Sequence, residues 1–205
     1  MSIKKIHYLS GLILSIFVGF HLFNHAWSVF GATQHIQMMN ALRIVYRNIF
    51  IETLLLSAVF AQIVSGLKLF MARRKNAKSR FEQLQIYSGL YLAFFFIIHV
   101  SAVLAGRVLL KLDTNFYFGV AGLNTFPLSL FFIPYYGFAI LAFFGHISSI
   151  HNKKMTQHIL GFSPNQQSFI ILLIGFVYVF IIFYGLTNHF TGVKIPKLYE
   201  VLIGK

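Results

Sequence analysis

Five apolar stretches, each long enough to cross a bilayer, decide what this chain can fold into. A hydrocarbon core of about 30 Å takes roughly 20 helical residues, and residues 6–30, 48–72, 84–107, 128–151 and 165–189 all meet that length. In lipid, the backbone N–H and C=O groups must be paired within the segment, so such stretches are helices. The expected fold is all-α: residues 1–205 as a single transmembrane domain, a five-helix polytopic bundle. Composition agrees, with 58% hydrophobic residues, 10% charged and 25 Phe, far too apolar for an ordinary soluble domain. The first stretch lacks a small-residue cleavage site and exceeds a signal-peptide core, so it is expected to be retained. With no cysteine in the chain, disulfides, thiolate catalysis and cysteine-ligated zinc or iron–sulfur clusters are excluded.

The formal net charge is +13. Nucleic acid is not the expected partner, because the basic residues sit in short connections between apolar runs, where topology signals lie. "MARRKNAKSR" carries Arg73, Arg74, Lys75, Lys78 and Arg80; "HNKKM" carries Lys153 and Lys154; the N-terminus carries Lys4 and Lys5. The first and third connections are poorer, with Arg43 and Arg47 in one and Arg107 and Lys111 in the other. The positive-inside rule then predicts an inside N-terminus and an outside C-terminus, against a weaker pull from Lys194, Lys197 and Lys205. The expected surroundings are a lipid bilayer, as in a bacterial inner (cytoplasmic) membrane. Trp27 and Tyr46 fall where aromatic anchors sit, and Lys68 is close enough to its helix end to snorkel. The 107–127 connection, "GRVLLKLDTNFYFGVAGLNTFP" with Pro127 at its end, is expected to hold a short interfacial segment outside. "SPNQQS" predicts the fifth helix start, with Ser163 as cap and Pro164 as first helical residue.

An internal repeat orders the polar residues. "YLSGLILSIFVGFH" in the first span matches "IYSGLYLAFFFIIH" in the third, with Gly11 ten residues before His21 and Gly89 ten before His99. The spans that follow both end in basic runs. Spans one–two and three–four therefore read as a duplicated hairpin, with His21 and His99 at one depth on helices of one direction. Bundles build cofactor sites from such facing side chains. A lone zinc or copper wants three or four ligands. A haem needs two, and its apolar rim suits a Phe-rich interior. Gly11, Gly19, Gly89 and Ser88 would let helices or a macrocycle approach closely, although helix packing alone accounts for such residues too.

His25 lies one turn outward of His21 on the same face. Its repeat match is Val103, so the repeat does not support it as a paired ligand, and it reads as an alternative ligand, a propionate partner or a proton relay. His146 lies toward the inner half of the fourth span, and the second span offers it only Gln62 and Ser65. His7, His151, His158 and His189 are expected at interfaces or in loops, and His35 in an outer loop, most of them solvated. Glu52, the one acid well inside a span, reads either as an ion-pair partner of Arg47 or another interfacial group, or as a proton acceptor beside a quinol.

With these residues in view, the chain resembles the five-helix, single-subunit cytochrome b anchor of succinate dehydrogenases and fumarate reductases, over nearly its whole length. "KKIHYLSG" is similar to that family's opening. The resemblance implies haem ligands on the first four spans, falling on His21, His99 and His146, with the second-span ligand at or near Gln62. That position is a departure: the outer pair, His21 with His99, is complete and the inner pair lacks a histidine, so one haem b is expected. The resemblance further implies a quinone substrate and flavoprotein and iron–sulfur subunits on the cytoplasmic face. The chain carries no flavin or iron–sulfur motif, so it would be an electron-transfer subunit and not itself the catalytic one. The alternative expectation is a haem-free structural or assembly protein of the same fold, its histidines joining helices by hydrogen bonds. A small transporter is a weaker third reading, for want of broken helices and buried acids.

Overall fold

The computed structural model describes residues 1–205 and is all-helical, with no strands. Five helices are long and apolar enough to cross a membrane: α1 (Ile3–Ala26), α3 (Ile49–Arg73), α4 (Arg80–Val108), α6 (Ser129–Lys154) and α7 (Pro164–Leu186). The shortest, α7, has 23 residues and so covers about 35 Å at ~1.5 Å per residue. An integral membrane protein in a lipid bilayer is the direct reading. Two further helices are too short to span: α2 (Ala32–Tyr46) and α5 (Phe116–Val120).

Local sequence explains the helix ends. Ser79 caps α4 by accepting from Glu82 N, while the Glu82 carboxylate accepts from Ser79 N at 3.2 Å, a reciprocal capping box. Ser163 does the same for α7 with Gln166, and Pro164 takes the first turn, where its missing N–H costs nothing. That start is the one "SPNQQS" predicts.

The long helices form a ring: α1 packs on α3, α3 on α4, α4 on α6, α6 on α7, and α7 back on α1. Small residues permit the close approaches, as expected where lipid supplies no hydrophobic drive between helices. Ser148 on α6 is fully buried and its hydroxyl donates to Ser168 O on α7 at 2.7 Å. Gly185, near the end of α7, sits against the 3-10 turn Trp27–Phe30, where an added methyl would strike the Ser28 hydroxyl and the Val29 backbone N. Backbone cannot rotate out of the way. Gly185→Ala is therefore expected to cost about 2 kcal/mol or more, whereas Gly19→Ala, with open space around it, should be neutral or slightly stabilising. Denaturant titration of the two variants in detergent checks the contrast.

The two ends of the ring differ. One, the basic end, carries Lys4, Lys5, the 73–80 cluster, Lys153 and Lys154 on short turns. The other is capped. Here α2, α5 and the C-terminal segment pack over the bundle, burying Met39, Leu112, Phe116, Val120, Leu123 and Tyr199. Polar ties hold the cap: Arg43 pairs with Asp113 at 2.8 Å, Tyr199 OH donates to Asp113 O at 3.0 Å, and Asn124 joins Leu186 O to Val193 N. The 107–127 connection does contain a short helix, α5, whose Phe116 and Val120 belong to the hydrophobic core with Leu22, Ile140 and Ile182.

The first connection corrects an expectation. It is not a loop but the 15-residue helix α2. Its apolar content is too low and its length too short to register as a span, yet His35, Met39, Leu42 and Tyr46 recur at helical spacing on one face. That face turns inward, so His35 is 2% exposed and not a solvated loop residue.

Candidate functional site: two histidine layers

Histidines from three helices gather toward the capped end. His21 on α1 and His99 on α4 face one another with ring centres 6.0 Å apart. Their helices are not packed neighbours in the ring, so the two side chains meet across its interior. His25 is edge-on to His21 at 4.5 Å, with the two Nε2 atoms 3.1 Å apart. His35, brought in by α2, lies 5.4 Å from the His25 ring and receives the Asn24 amide at 3.2 Å. His25 is thus beside His21, as the one-turn spacing predicts, and the sequence missed only its third neighbour, His35.

Each member of the central pair has a phenyl ring against its face. Phe17 stacks on His21 at 5.7 Å and 20°; Phe95 stacks on His99 at 5.0 Å and 11°. Both phenylalanines lie one turn before their histidine, at matching places in the two SG…H stretches. His99 has ring contacts only and no hydrogen-bond partner in the protein.

The second layer lies toward the basic end. His146 on α6 points its Nδ1 at Gln85 O, 3.0 Å away. A carbonyl only accepts, so Nδ1 carries the proton and Nε2 keeps a lone pair. His7 on α1 is half-buried and not at a solvated interface as expected. The Ser65 hydroxyl spends its proton on Ala61 O and so accepts from His7 Nδ1 at 3.0 Å. His7 Nε2 then accepts from the Gln62 amide at 3.3 Å, and Ser10 donates to the Gln62 oxygen at 2.7 Å. The His7 and His146 rings are 6.4 Å apart.

Gln62 and His146 hold corresponding places. A methyl on Gly11 would touch the Gln62 side chain, and one on Gly89 would touch the His146 ring; Ser10 bonds the first residue and Ser88 lies 3.3 Å from the second. A cavity of about 260 Å³ enters here, with Arg73 and Lys153 at its mouth and His7, Gly66, Gly89 and His146 deeper in.

The remaining candidates make the following contacts. Glu52 is gripped by the Arg107 guanidinium through both carboxylate oxygens. The ion-pair reading fits, with Arg107 and not Arg47 as partner; Arg47 donates to Thr114 at 3.0 Å. His151 is not a free surface group either, since it bonds the Gln167 side chain at 2.8 Å. His158 and His189 are exposed as expected.

The His35 environment has a pH consequence. Burial first, then the nearby His21 and the Arg43 cation, hold its pKa down to about 4 from the usual 6.5. Between those values the unfolded segment takes up a proton and the folded one does not, so cap stability falls as pH drops from about 6.5 toward 4, by about 1–3 kcal/mol. Backbone hydrogen exchange across 32–46 should therefore quicken at pH 5 beyond its intrinsic change. His35→Phe should remove that excess.

What the upper layer can hold follows from the donor set. No three His, Cys, Asp or Glu side chains converge on one metal position, so a bare ion lacks its usual ligands. Two opposed imidazoles are the donor set of a six-coordinate haem. His21 and His99 would supply that donor set from two different helices, their ring centres 6.0 Å apart. His21 would exchange its bond to His25, worth about 1 kcal/mol net, for the metal. The residues fit the group. No protein-family model, no curated protein and no solved structure matches this chain.

Proposed function

We propose that the chain is a membrane b-type cytochrome that uses His21 and His99 as the axial ligands of one haem, and passes electrons between a quinone and a redox partner. The observation that carries this is the His21–His99 pair: two imidazoles from non-adjacent helices, 6.0 Å apart, the second with no other polar partner. An imidazole without a hydrogen bond inside a membrane helix is costly unless something else takes its lone pair. When bound, the haem supplies one-electron chemistry; the chain's own residues orient the ligands, exclude water and present an apolar wall.

The same reading includes the finer architecture. The matched Phe17–His21 and Phe95–His99 stacks, and the matched settings of Gln62 and His146, favour a duplicated hairpin. The nine Lys and Arg at the basic end favour an inside N-terminus, an outside C-terminus and an inner bacterial membrane. Under the resemblance to succinate dehydrogenase and fumarate reductase anchors, the basic end would meet flavoprotein and iron–sulfur subunits. Glu52 takes a structural part in this proposal, because its carboxylate is already committed to Arg107.

One specific observation favours the second reading, a haem-free structural or assembly protein: His7, His25 and His146 all have hydrogen-bond partners within the protein. A reduced-minus-oxidised spectrum of protein purified in detergent from haem-replete cells separates the two. Haem bands at about one per chain support the cytochrome; their absence leaves the structural reading.

A further inference from the structure

Where α2 hands the chain to α3, three arginines converge. Arg43 and Arg47 lie one turn apart at the end of α2, and Arg107 comes from the last turn of α4. Two carboxylates answer them. Arg43 pairs with Asp113 at 2.8 Å, and Glu52 is taken by Arg107 through both oxygens. Arg47 is left with the far side of the first pair, its Nη2 3.8 Å from Asp113, and with one hydrogen bond, to Thr114 Oγ1 at 3.0 Å. This corner therefore holds an excess of cations over carboxylates, and Lys111, exposed on the 107–127 connection, widens it.

A guanidinium is a flat fork with several N–H donors to place. Arg47 places one, on Thr114, while its side chain is 31% exposed. Most of the fork is unspent. Burial first, then the Arg43 and Arg107 cations, lower its pKa, with Tyr46 and Asp113 pulling the other way. An anion beside Arg47 would offset that repulsion. The surroundings limit what kind of anion. Ile44, on the same face of α2 and one turn before Arg47, and Phe50, in the first turn of α3, are each 80% exposed; Ile49 and Leu109 are 69% and 75% exposed. A free anion has no use for such a rim, but acyl chains do. The α3 span begins here and the α4 span ends here, at the depth where a phospholipid carries its head group.

We propose that Arg47 binds the phosphate of a phospholipid from the leaflet at the capped end, its unspent fork taking two phosphate oxygens, with the acyl chains lying over Ile44, Ile49, Phe50 and Leu109. The negative phosphodiester balances the excess of cations. The site is independent of any haem at the histidine layers. It also joins elements that the protein alone joins weakly. Arg47 already ties α2 to the 107–127 connection through Thr114, and a lipid seated on it fastens that part of the cap to the start of α3 and the end of α4.

Protein purified in a phosphate-free maltoside detergent and stripped of lipid tests this, with melting temperature and tightly retained phosphorus as the readouts. Phosphatidylglycerol should raise the melting temperature by several degrees. Diacylglycerol has the tails without the phosphate, and inorganic phosphate has the charge without the tails; each should do far less. Arg47→Gln should weaken retention of phosphatidylglycerol about tenfold, whereas Arg74→Gln, at the basic end, should leave it unchanged. Equal retention by Arg47→Gln and the wild type overturns the proposal. An equal loss in Arg74→Gln overturns it too, because binding would then follow net charge alone. So does full stabilisation by inorganic phosphate, which needs no lipid, or by diacylglycerol, which leaves the phosphate without a role. If Arg47→Gln does not fold, Arg47→Lys keeps the charge but not the fork; its retention should also fall, and unchanged retention there overturns the proposal as well.

Discussion

His99→Ala protein, made in haem-replete cells and purified in detergent, is expected to come out without the reduced-minus-oxidised haem bands of the wild type. The effect should be near-complete, because His99 is the histidine that α4 brings to this layer: its ring neighbours are Phe95 and His21, and the latter is the opposing ligand. His21→Ala should lose most haem but less cleanly, since His25 stands one turn away with its Nε2 3.1 Å from that of His21. His146→Ala should leave the haem in place, as it lies in the other layer, bonded to Gln85. A His99→Ala chain that keeps its full haem complement would end the ligand assignment. The comparison is only fair if all three variants fold, which a matched elution profile establishes.

The second large effect expected is a gain. Gln62→His should raise haem content above that of the wild type, toward two per chain. Gln62 stands to Ser10 and Gly11 as His146 stands to Ser88 and Gly89, so a histidine there would add a third imidazole to the layer of His146 and His7. The His146 tautomer already leaves Nε2 free, and a cavity of about 260 Å³ opens beside it between Arg73 and Lys153, cations that suit carboxylate groups. That volume lies just below the roughly 300–1,000 Å³ usual for ligand pockets, so side chains such as Leu69 or Ile86 would have to give. Unchanged haem content in a folded Gln62→His chain would show that the layer lacks the room, and that more than one residue separates it from a working site.

The five spans are legible in the sequence because lipid leaves a helix few alternatives: an apolar run of sufficient length has one solution. The His21–His99 pairing is legible for a related reason. Two copies of one spacing, on helices of one direction, put their histidines at one depth, and the polar residue then turns inward. His35 is hidden because α2 is neither long nor apolar; only its His35–Met39–Leu42–Tyr46 face signals burial, and that face makes sense only once a cap exists for it to join. His7 is hidden for a different reason. Near a chain terminus beside Lys4 and Lys5 it reads as solvated, and nothing local says that α1 starts early enough, at Ile3, to carry it into the bundle beside Ser65. The sequence leaves the partner of Glu52 open between Arg47 and another interfacial group, because ion pairing depends on which helices are neighbours. The packing of α3 on α4 decides for Arg107.

The unlike ends of the ring are built differently. Above the upper histidine layer the stopper is made of four separate stretches of chain: the turn after α1, α2, the 107–127 connection and the C-terminal tail, locked by Asp113, Asn124 and Tyr199. The stretches of this stopper follow α1 at growing distance along the chain, so the tail joins it last of the four. Each end keeps a cavity of about 260 Å³, one beside Arg73 and Lys153 and one among the stopper's own stretches beside Ser28, Phe116 and Gly192. A stopper drawn from four distant stretches is whole only once the tail has joined it, and chains cut short before Tyr199 should show faster backbone hydrogen exchange across 32–46.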